Sequence, residues 1–292
     1  DPHKMLDEIN GRRFQVRRYL DTGEALDCRE PDRCKHCFIE PFCTTMERFI
    51  DTQNQANLEI WDVEADLDPQ KIPQPLPFGA QRLALSIENP SDLDRSYLRM
   101  PLEVRLTKAM PHLPIEGDIH WVIQFEEYLT EWVEAMLPQQ KLLIELNQRT
   151  APWILKNQEL LHSKREQIVL QQPSFEKLEE AVSSDIRNPR KFFAQLHDSF
   201  DTRGLPACIA VGMNLLPPQK RAKSTIFNWD SGRVETRALS KEHIISGYHS
   251  KSVRCADCKL TDRCHGIHIN MVRDQGLQLA DPLQEGEWFE EA

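Results

Sequence analysis

The sequence predicts an α/β protein built around a partial, barrel-like (β/α) segment with cysteine-rich segments on either side. Three observations predict it. Between residues 80 and 204, short apolar runs alternate with stretches of helical spacing, the pattern of βα units around a parallel sheet. That span is too short for a complete eight-unit barrel, so the sheet is expected to be open or partial. The eight cysteines fall outside it, grouped near the two ends of the chain.

Taken in order, Phe14–Tyr19 alternates like a strand, Asp21-Thr22-Gly23 makes a turn, and residues 45–53 suit a short helix. Residues 60–80 carry Asp66, Asp68, Pro69, Pro73, Pro75 and Pro77 and read as an extended linker, the best domain boundary. The run Asp62, Glu64, Asp66 and Asp68 within it reads as solvated. Strands are expected at Leu83–Ile87, Leu102–Leu106, Leu142–Leu146 and Ile168–Leu170, and Trp121–Phe125 is apolar. Helices are expected at 126–136, ended by Pro138, at 152–164 with Thr150 near its cap, at 175–183 capped by Ser174, and at 189–197. Further on, Ile226–Trp229, Asp230-Ser231-Gly232 and Arg233–Arg237 read as a hairpin, followed by a short helix over 241–247. The domain division is therefore 1–60 (cysteine-rich), 80–204 (βα) and 205–292 (a second cysteine-rich unit).

Composition narrows the function. The chain has 292 residues, 40% of them hydrophobic and 28% charged, values of a globular protein with a proper core. A net charge of −10 argues against a general nucleic-acid binder. Lys220-Arg221-Ala222-Lys223 is a local basic patch that reads as a solvated loop. No apolar run reaches membrane-spanning length and no secretory segment opens the chain, so a cytoplasmic protein with neither membrane nor nucleic acid as partner is expected. The eight cysteines then suit metal rather than disulfides.

The two cysteine groups share one spacing. Cys34-x2-Cys37-x5-Cys43 and Cys255-x2-Cys258-x5-Cys264 are both C-x2-C-x5-C. Cys28 and Cys208 supply a fourth thiol to each, which uses all eight. A tight C-x2-C turn aims two sulfurs at one centre, and the third returns a loop later. Zinc accepts four thiolates, but all-cysteine zinc sites usually pair two C-x2-C knuckles. One knuckle with an irregular third and fourth ligand favours a 4Fe–4S cluster at each site. Phe38, Ile39, Pro41 and Phe42 would shield the first site from water. His265 and His268 are alternatives to Cys208 as fourth ligand, and His36 neighbours the first site. Glu145, Gln148, Gln171 and Gln172 would stand at a barrel mouth if their strands are parallel, and otherwise are loop polar residues.

From Cys208 through the 226–237 hairpin to Cys255-x2-Cys258-x5-Cys264-His265-Gly266, with Gly276 and Pro282 beyond, the chain resembles the SPASM and twitch auxiliary-cluster region of radical S-adenosylmethionine enzymes. The resemblance covers the C-terminal part well, and near Cys28–Cys43 it rests on the cysteines alone. It implies two 4Fe–4S clusters serving as electron relays or substrate anchors in a radical modification of a peptide or protein, with a reductase or catalytic partner domain. The C-x3-C-x2-C triplet that holds the catalytic cluster of such enzymes is absent from this chain. S-adenosylmethionine is therefore implied only if a catalytic segment lies outside it, upstream of Asp1. A non-catalytic electron-transfer or scaffold protein and a zinc-stabilised module are the other readings of the same cysteines. Catalytic residues, the substrate and the oligomeric state are not readable from the sequence.

Overall fold

The computed structural model describes residues 29–37, 40, 43–44, 58–63, 72, 76, 79–228 and 233–283. The strand expected at Phe14–Tyr19, the helix at 45–53, and Cys28 lie outside them. One turn of helix at Pro31–Cys34 (α1) precedes the main body.

Nine strands form a single sheet: β1 (Ile60–Asp62), β2 (Arg82–Ile87), β3 (Leu102–Leu106), β4 (Ile119–Ile123), β5 (Lys141–Glu145), β6 (Ile168–Gln171), β7 (Asp201–Arg203), β8 (Asn214–Leu215) and β9 (Arg221–Lys223). The spatial order is β8-β7-β6-β5-β4-β3-β2-β1-β9, and each neighbouring pair is parallel. The expected α/β class and parallel sheet are thus present. The sheet reaches past the 80–204 segment at both ends. Ile60–Asp62, expected as linker, is a strand between β2 and β9. Arg221–Lys223, expected as a solvated loop, is the edge strand β9.

The sheet is curled into a half-barrel. Arg221 on β9 forms an ion pair with Glu103 on β3, and these positions are three strand intervals apart, about 14 Å in a flat sheet. Arg105 on β3 likewise reaches Glu145 on β5 across β4. Only a concave inner face brings such side chains together. The convex face carries the main core: Leu83, Leu85, Leu102, Val104, Trp121, Ile144 and Leu170 among others. Intervening positions turn inward, where Val122, Leu143 and Val169 make a separate small cluster with Leu216. Strands buried on both faces explain why Leu142–Glu145 and Ile168–Leu170 are nearly continuous apolar runs.

Helices α2 (Leu129–Ala135), α3 (Thr150–Lys156), α4 (Gln158–His162), α5 (Leu178–Ser184) and α6 (Pro189–Phe193) connect the strands from β4 to β7. In α2, Trp132 lies against Trp121 with ring centroids 4.9 Å apart and takes the edge of His112 at 4.7 Å. Aromatic pairs of this kind contribute about 0.5–1.5 kcal/mol beyond their area. The single helix expected over 152–164 is two, because the Asn157 amide donates to the Trp153 carbonyl (2.7 Å) and closes the turn there. Thr150 does not cap α3 from outside. Asn147 does, its Oδ1 accepting from the Arg149 and Thr150 amides (2.8 and 2.9 Å), while the Thr150 hydroxyl donates back to the Glu145 carbonyl (2.5 Å). That reciprocal cap fixes the end of β5, where Glu145 sits.

Ser174 caps nothing. The α5 helix begins at Leu178, and the extended segment before it offers the carbonyls of Phe175 and Glu176 to the Asn270 amide (2.8 and 3.0 Å). The helix expected over 189–197 stops at Phe193.

After β9 the expected hairpin is present, β10 (Phe227–Asn228) pairing antiparallel with β11 (Arg233–Val234). The helix expected at 241–247 is present and begins earlier, as α7 (Thr236–Glu242), which widens into a π turn over His243–Gly247. The chain then forms a second antiparallel pair, β12 (His249–Ser250) with β13 (Ile267–His268), enclosing the second cysteine loop, and α8 (Ile269–Gln275).

Gly204 ends β7 at φ +87°, and a Cβ there would lie 2.5 Å from the Gln172 carbonyl oxygen. Gly204→Ala is expected to destabilise the fold by about 1–3 kcal/mol through backbone strain. Urea denaturation of the two proteins, compared at equal m value, checks it.

Candidate functional site

Two sets of side chains stand out: the thiols of the C-terminal segment and the charged inner face of the sheet. Among the described residues, no group of three or more His, Cys, Asp and Glu side chains has the geometry to hold a metal ion.

Cys208 follows Gly204 in a turn that carries the chain from β7 to the outer core, where the residue is buried beside Ile209 and Ala210. Cys255 and Cys258 pack against that core. Burial pushes the Cys208 thiol up; a backbone N–H of Asp281 opposes this, and Cys264, Cys255 and Cys258 raise it further. The structure thus brings all four of these cysteines into one neighbourhood, although 46 residues lie between Cys208 and Cys255.

The loop geometry follows from its sequence. Ser252 Oγ accepts from the Arg254 amide (3.3 Å), opening the turn that presents Cys255. The Cys258 amide donates to the Cys255 carbonyl (3.1 Å), closing the C-x2-C knuckle. Cys264 returns through a bond from its amide to the Leu260 carbonyl (2.9 Å). Gly266 then has φ +90°, and a Cβ there would run into the Ser250 carbonyl, so only glycine lets β13 leave the loop so close to β12. Its amide donates to Cys264 Sγ at 3.2 Å. The loop is tied to the segment 280–283 by Lys259 N to Leu283 O (3.1 Å) and Arg254 Nη2 to Ala280 O (2.7 Å).

His268 is engaged elsewhere. Its Nε2 lies 2.7 Å from the Ile244 carbonyl and its Nδ1 accepts from the Asn270 amide, so both ring nitrogens are engaged. It is buried, and burial first of all holds its pKa down at about 4.

In the N-terminal group, Cys34 ends α1 and its Sγ accepts from Arg29 Nη1 (3.4 Å), while the Cys37 amide donates to the Cys34 carbonyl (3.0 Å). Cys43 is buried. Their fourth candidate, Cys28, is outside the described residues. None of Cys34, Cys37, Cys208, Cys255, Cys258 and Cys264 is in a disulfide.

The inner face of the sheet was the less legible site. Glu145 is 3% exposed and paired with Arg105 at 2.5 Å. Its register neighbour Gln171 is paired in turn with Arg203. So of the four polar residues expected at a barrel mouth, Glu145 and Gln171 face inward. Gln172 and Gln148 do not: the first donates to Asp185 (2.8 Å) and the second to the Val182 carbonyl (3.0 Å). Of the acidic run expected to be solvated, Asp62 pairs with Arg221 at 3.2 Å, and Glu64, Asp66 and Asp68 lie outside the described residues. Burial pulls the Arg221 guanidinium down, but Glu103 and Asp62 outweigh it and hold it above its ordinary value. Lys223 beside it pairs with Glu242.

The sequence reading missed Glu103, Arg105, Arg203 and Arg221. The available signal was charge at alternate positions in strands of a parallel sheet, which has no solvated face to receive it.

The C-terminal segment docks on residues 175–190 through Asn270, through Gln275 Nε2 to the Ile186 carbonyl (3.1 Å), and through the pairs Arg187–Asp274 and Arg190–Asp281. Asp185 lies buried beneath this junction. Burial, reinforced by Asp274, raises its pKa to about 7 against the opposing pull of Arg187 and the Gln172 bond.

Comparison with protein-family models, with curated proteins and with solved structures finds no match in any of the three. Among the described residues, no helix is long and apolar enough to cross a membrane.

Between the ordinary value of 3.8 and about 7, folded Asp185 keeps a proton that the unfolded chain has released. Stability from this group therefore falls as pH rises through that window and is level above it. Asp185→Asn is expected to flatten that slope. Urea midpoints of both proteins at several pH values across the window check it, and equal slopes would remove Asp185 as the titrating group.

Proposed function

We propose that this chain is an iron–sulfur protein, the auxiliary-cluster portion of a radical S-adenosylmethionine-type system, with one 4Fe–4S cluster on Cys28, Cys34, Cys37 and Cys43 and a second on Cys208, Cys255, Cys258 and Cys264. The observation that carries the reading is the approach of Cys208 to Cys255, Cys258 and Cys264, in the chain order that the SPASM and twitch resemblance implies. Burial and the neighbouring thiols raise the Cys208 pKa, and a bound cationic centre would remove that repulsion and hold it as a thiolate. The donor set fits the group: soft sulfur ligands, partly buried, with backbone N–H groups of Gly266 and Asp281 aimed at two of the sulfurs.

A closed 4Fe–4S cluster supplies a one-electron redox couple. The chain's own residues hold it away from water and set its surroundings. Cys208 sits in the apolar core, and the Gly266 and Asp281 amides stabilise negative charge on sulfur. With four cysteines for each site, no iron is left open for a substrate, which favours electron relay over substrate ligation. A peptide or protein substrate, a reductase or catalytic partner domain, and S-adenosylmethionine cleavage by a segment outside this chain complete the proposal. A cytoplasmic, reducing compartment suits the thiols.

Anaerobic purification followed by iron, sulfide and zinc quantitation tests it. About eight irons and eight sulfides per chain are expected. Cys208→Ala is expected to lower iron by about half, and the paired change Cys34→Ala with Cys37→Ala to remove the other half. Two zincs with no acid-labile sulfide would refute the iron–sulfur reading and favour a zinc-stabilised module.

A further inference from the structure

The first cysteine loop carries one cation that is turned differently from its neighbours. Residues 29–44 hold Arg29, Arg33 and Lys35. Arg33 pairs with Glu30 at 3.0 Å and Lys35 with Asp32 at 3.5 Å, both on the exposed side of α1. Ion pairs of that kind contribute little. Arg29 is half-buried, and its Nη1 donates to Cys34 Sγ at 3.4 Å.

The winding of the loop makes that contact. Pro31 opens α1, and the Cys34 amide donates to the Glu30 carbonyl (2.8 Å). The Cys37 amide then donates to the Cys34 carbonyl (3.0 Å), and the Glu40 amide to the Cys37 carbonyl (3.1 Å). These successive turns bring Glu40 and Thr44 back beside Arg29. Its Nη1 lies 3.4 Å from Glu40 Oε1, its Nη2 donates to Thr44 Oγ1 at 2.9 Å, and the Thr44 hydroxyl donates to Glu40. Nη1 carries two hydrogens, so it serves Glu40 and the sulfur together. A brace to Glu40 and Thr44 alone would leave the sulfur out.

The second cysteine group is arranged otherwise. Cys264 Sγ accepts from the neutral Gly266 amide (3.2 Å). Lys251 and Arg254, close to that triplet in sequence, donate to the carbonyls of Thr261 and Ala280.

Hydrogen bonds and charge at the cysteine sulfurs tune the potential of an iron–sulfur cluster. One-electron reduction adds negative charge that those sulfurs share. A guanidinium bonded to one of them favours the reduced form, and a carboxylate behind the guanidinium opposes it.

We infer that Arg29 raises the reduction potential of the cluster on Cys28, Cys34, Cys37 and Cys43, acting through Cys34 Sγ, while Glu40 holds the guanidinium in place and moderates its charge. This role rests on the iron–sulfur reading above. It gives the two clusters separate controls, a charged donor at the first and backbone amides at the second.

Anaerobic redox titration of the full chain, followed by electron paramagnetic resonance, tests it. The signal of the first cluster is the one missing from the protein carrying Cys34→Ala with Cys37→Ala. Arg29→Gln is expected to shift the midpoint of that signal to more negative potential, and Arg29→Lys to shift it less. Glu40→Gln is expected to shift it the opposite way. The midpoint of the second cluster should stay in place in all three. A merely bracing role would move Arg29→Gln and Glu40→Gln in the same direction, since both break the brace. Glu40→Gln keeps the test decisive even if Arg29→Gln loses its cluster. At full iron content, an unshifted Glu40→Gln, or shifts of the same sign in Arg29→Gln and Glu40→Gln, would overturn the inference and leave the iron–sulfur reading standing. Zinc without acid-labile sulfide would overturn both.

Discussion

The connection from β8 to β9 is the constraint on which the rest of the structure depends. These are the two outer strands of the sheet, yet only residues 216–220 separate them in sequence. Laid flat, nine strands with eight intervals would hold the edges about 38 Å apart. Six Cα steps from Leu215 to Arg221 reach at most about 21 Å. The sheet must therefore curl until its edges approach. Pro217 and Pro218 in the link favour an extended path, which uses nearly all of that reach. Once β9 lies beside β1, with Arg221 in register with Ile60, the guanidinium is committed to the concave side, opposite Glu103.

The curl also explains why charge is inside. A flat parallel sheet with both faces covered takes apolar residues throughout. On the concave face, the long Arg and Glu side chains reach across intervening strands to one another. Such pairs are poor devices for stability, since taking two charges from water offsets most of their attraction. Removing one partner is far worse, because the other is then stranded. The lumen is thus held together by mutual need: Arg221 depends on Glu103 and Asp62, and Arg105 on Glu145. Arg203 is the member for which the fold offers no such partner among the described residues.

The central βα pattern was legible where its strands are five or six residues long and mostly apolar, as at Arg82–Ile87 and Lys141–Glu145. The sheet's ends were not. Ile60–Asp62, Asn214–Leu215 and Arg221–Lys223 are two or three residues each, too short for any periodicity, and two of them lie next to prolines or acidic runs that signal loop. Leu102-Glu103-Val104-Arg105-Leu106 alternates as a half-solvated strand would, and nothing local tells a lumen from solvent. The cysteine grouping is the reverse case. The spacing of Cys255, Cys258 and Cys264 is local and was readable, and Cys208 could be added because no other role claimed it. What could not be read was the means by which Cys208 arrives, since Gly204 acts through its approach to the Gln172 carbonyl just beyond β6.

That glycine joins the two halves of the molecule. Arg203 faces the lumen, Cys208 lies in the outer core, and only the turn at Gly204 and the following Leu205-Pro206-Ala207 separates them. Five Cα steps limit the distance between the two residues to about 18 Å. The C-terminal segment closes over the same region, held to residues 175–190 by Asn270, Asp274 and Asp281, with Asp281 also aiming a backbone N–H at Cys208. Arg203 on the inner face and Cys208 in the outer core are thus near neighbours along the chain, reached from one strand end by the turn at Gly204.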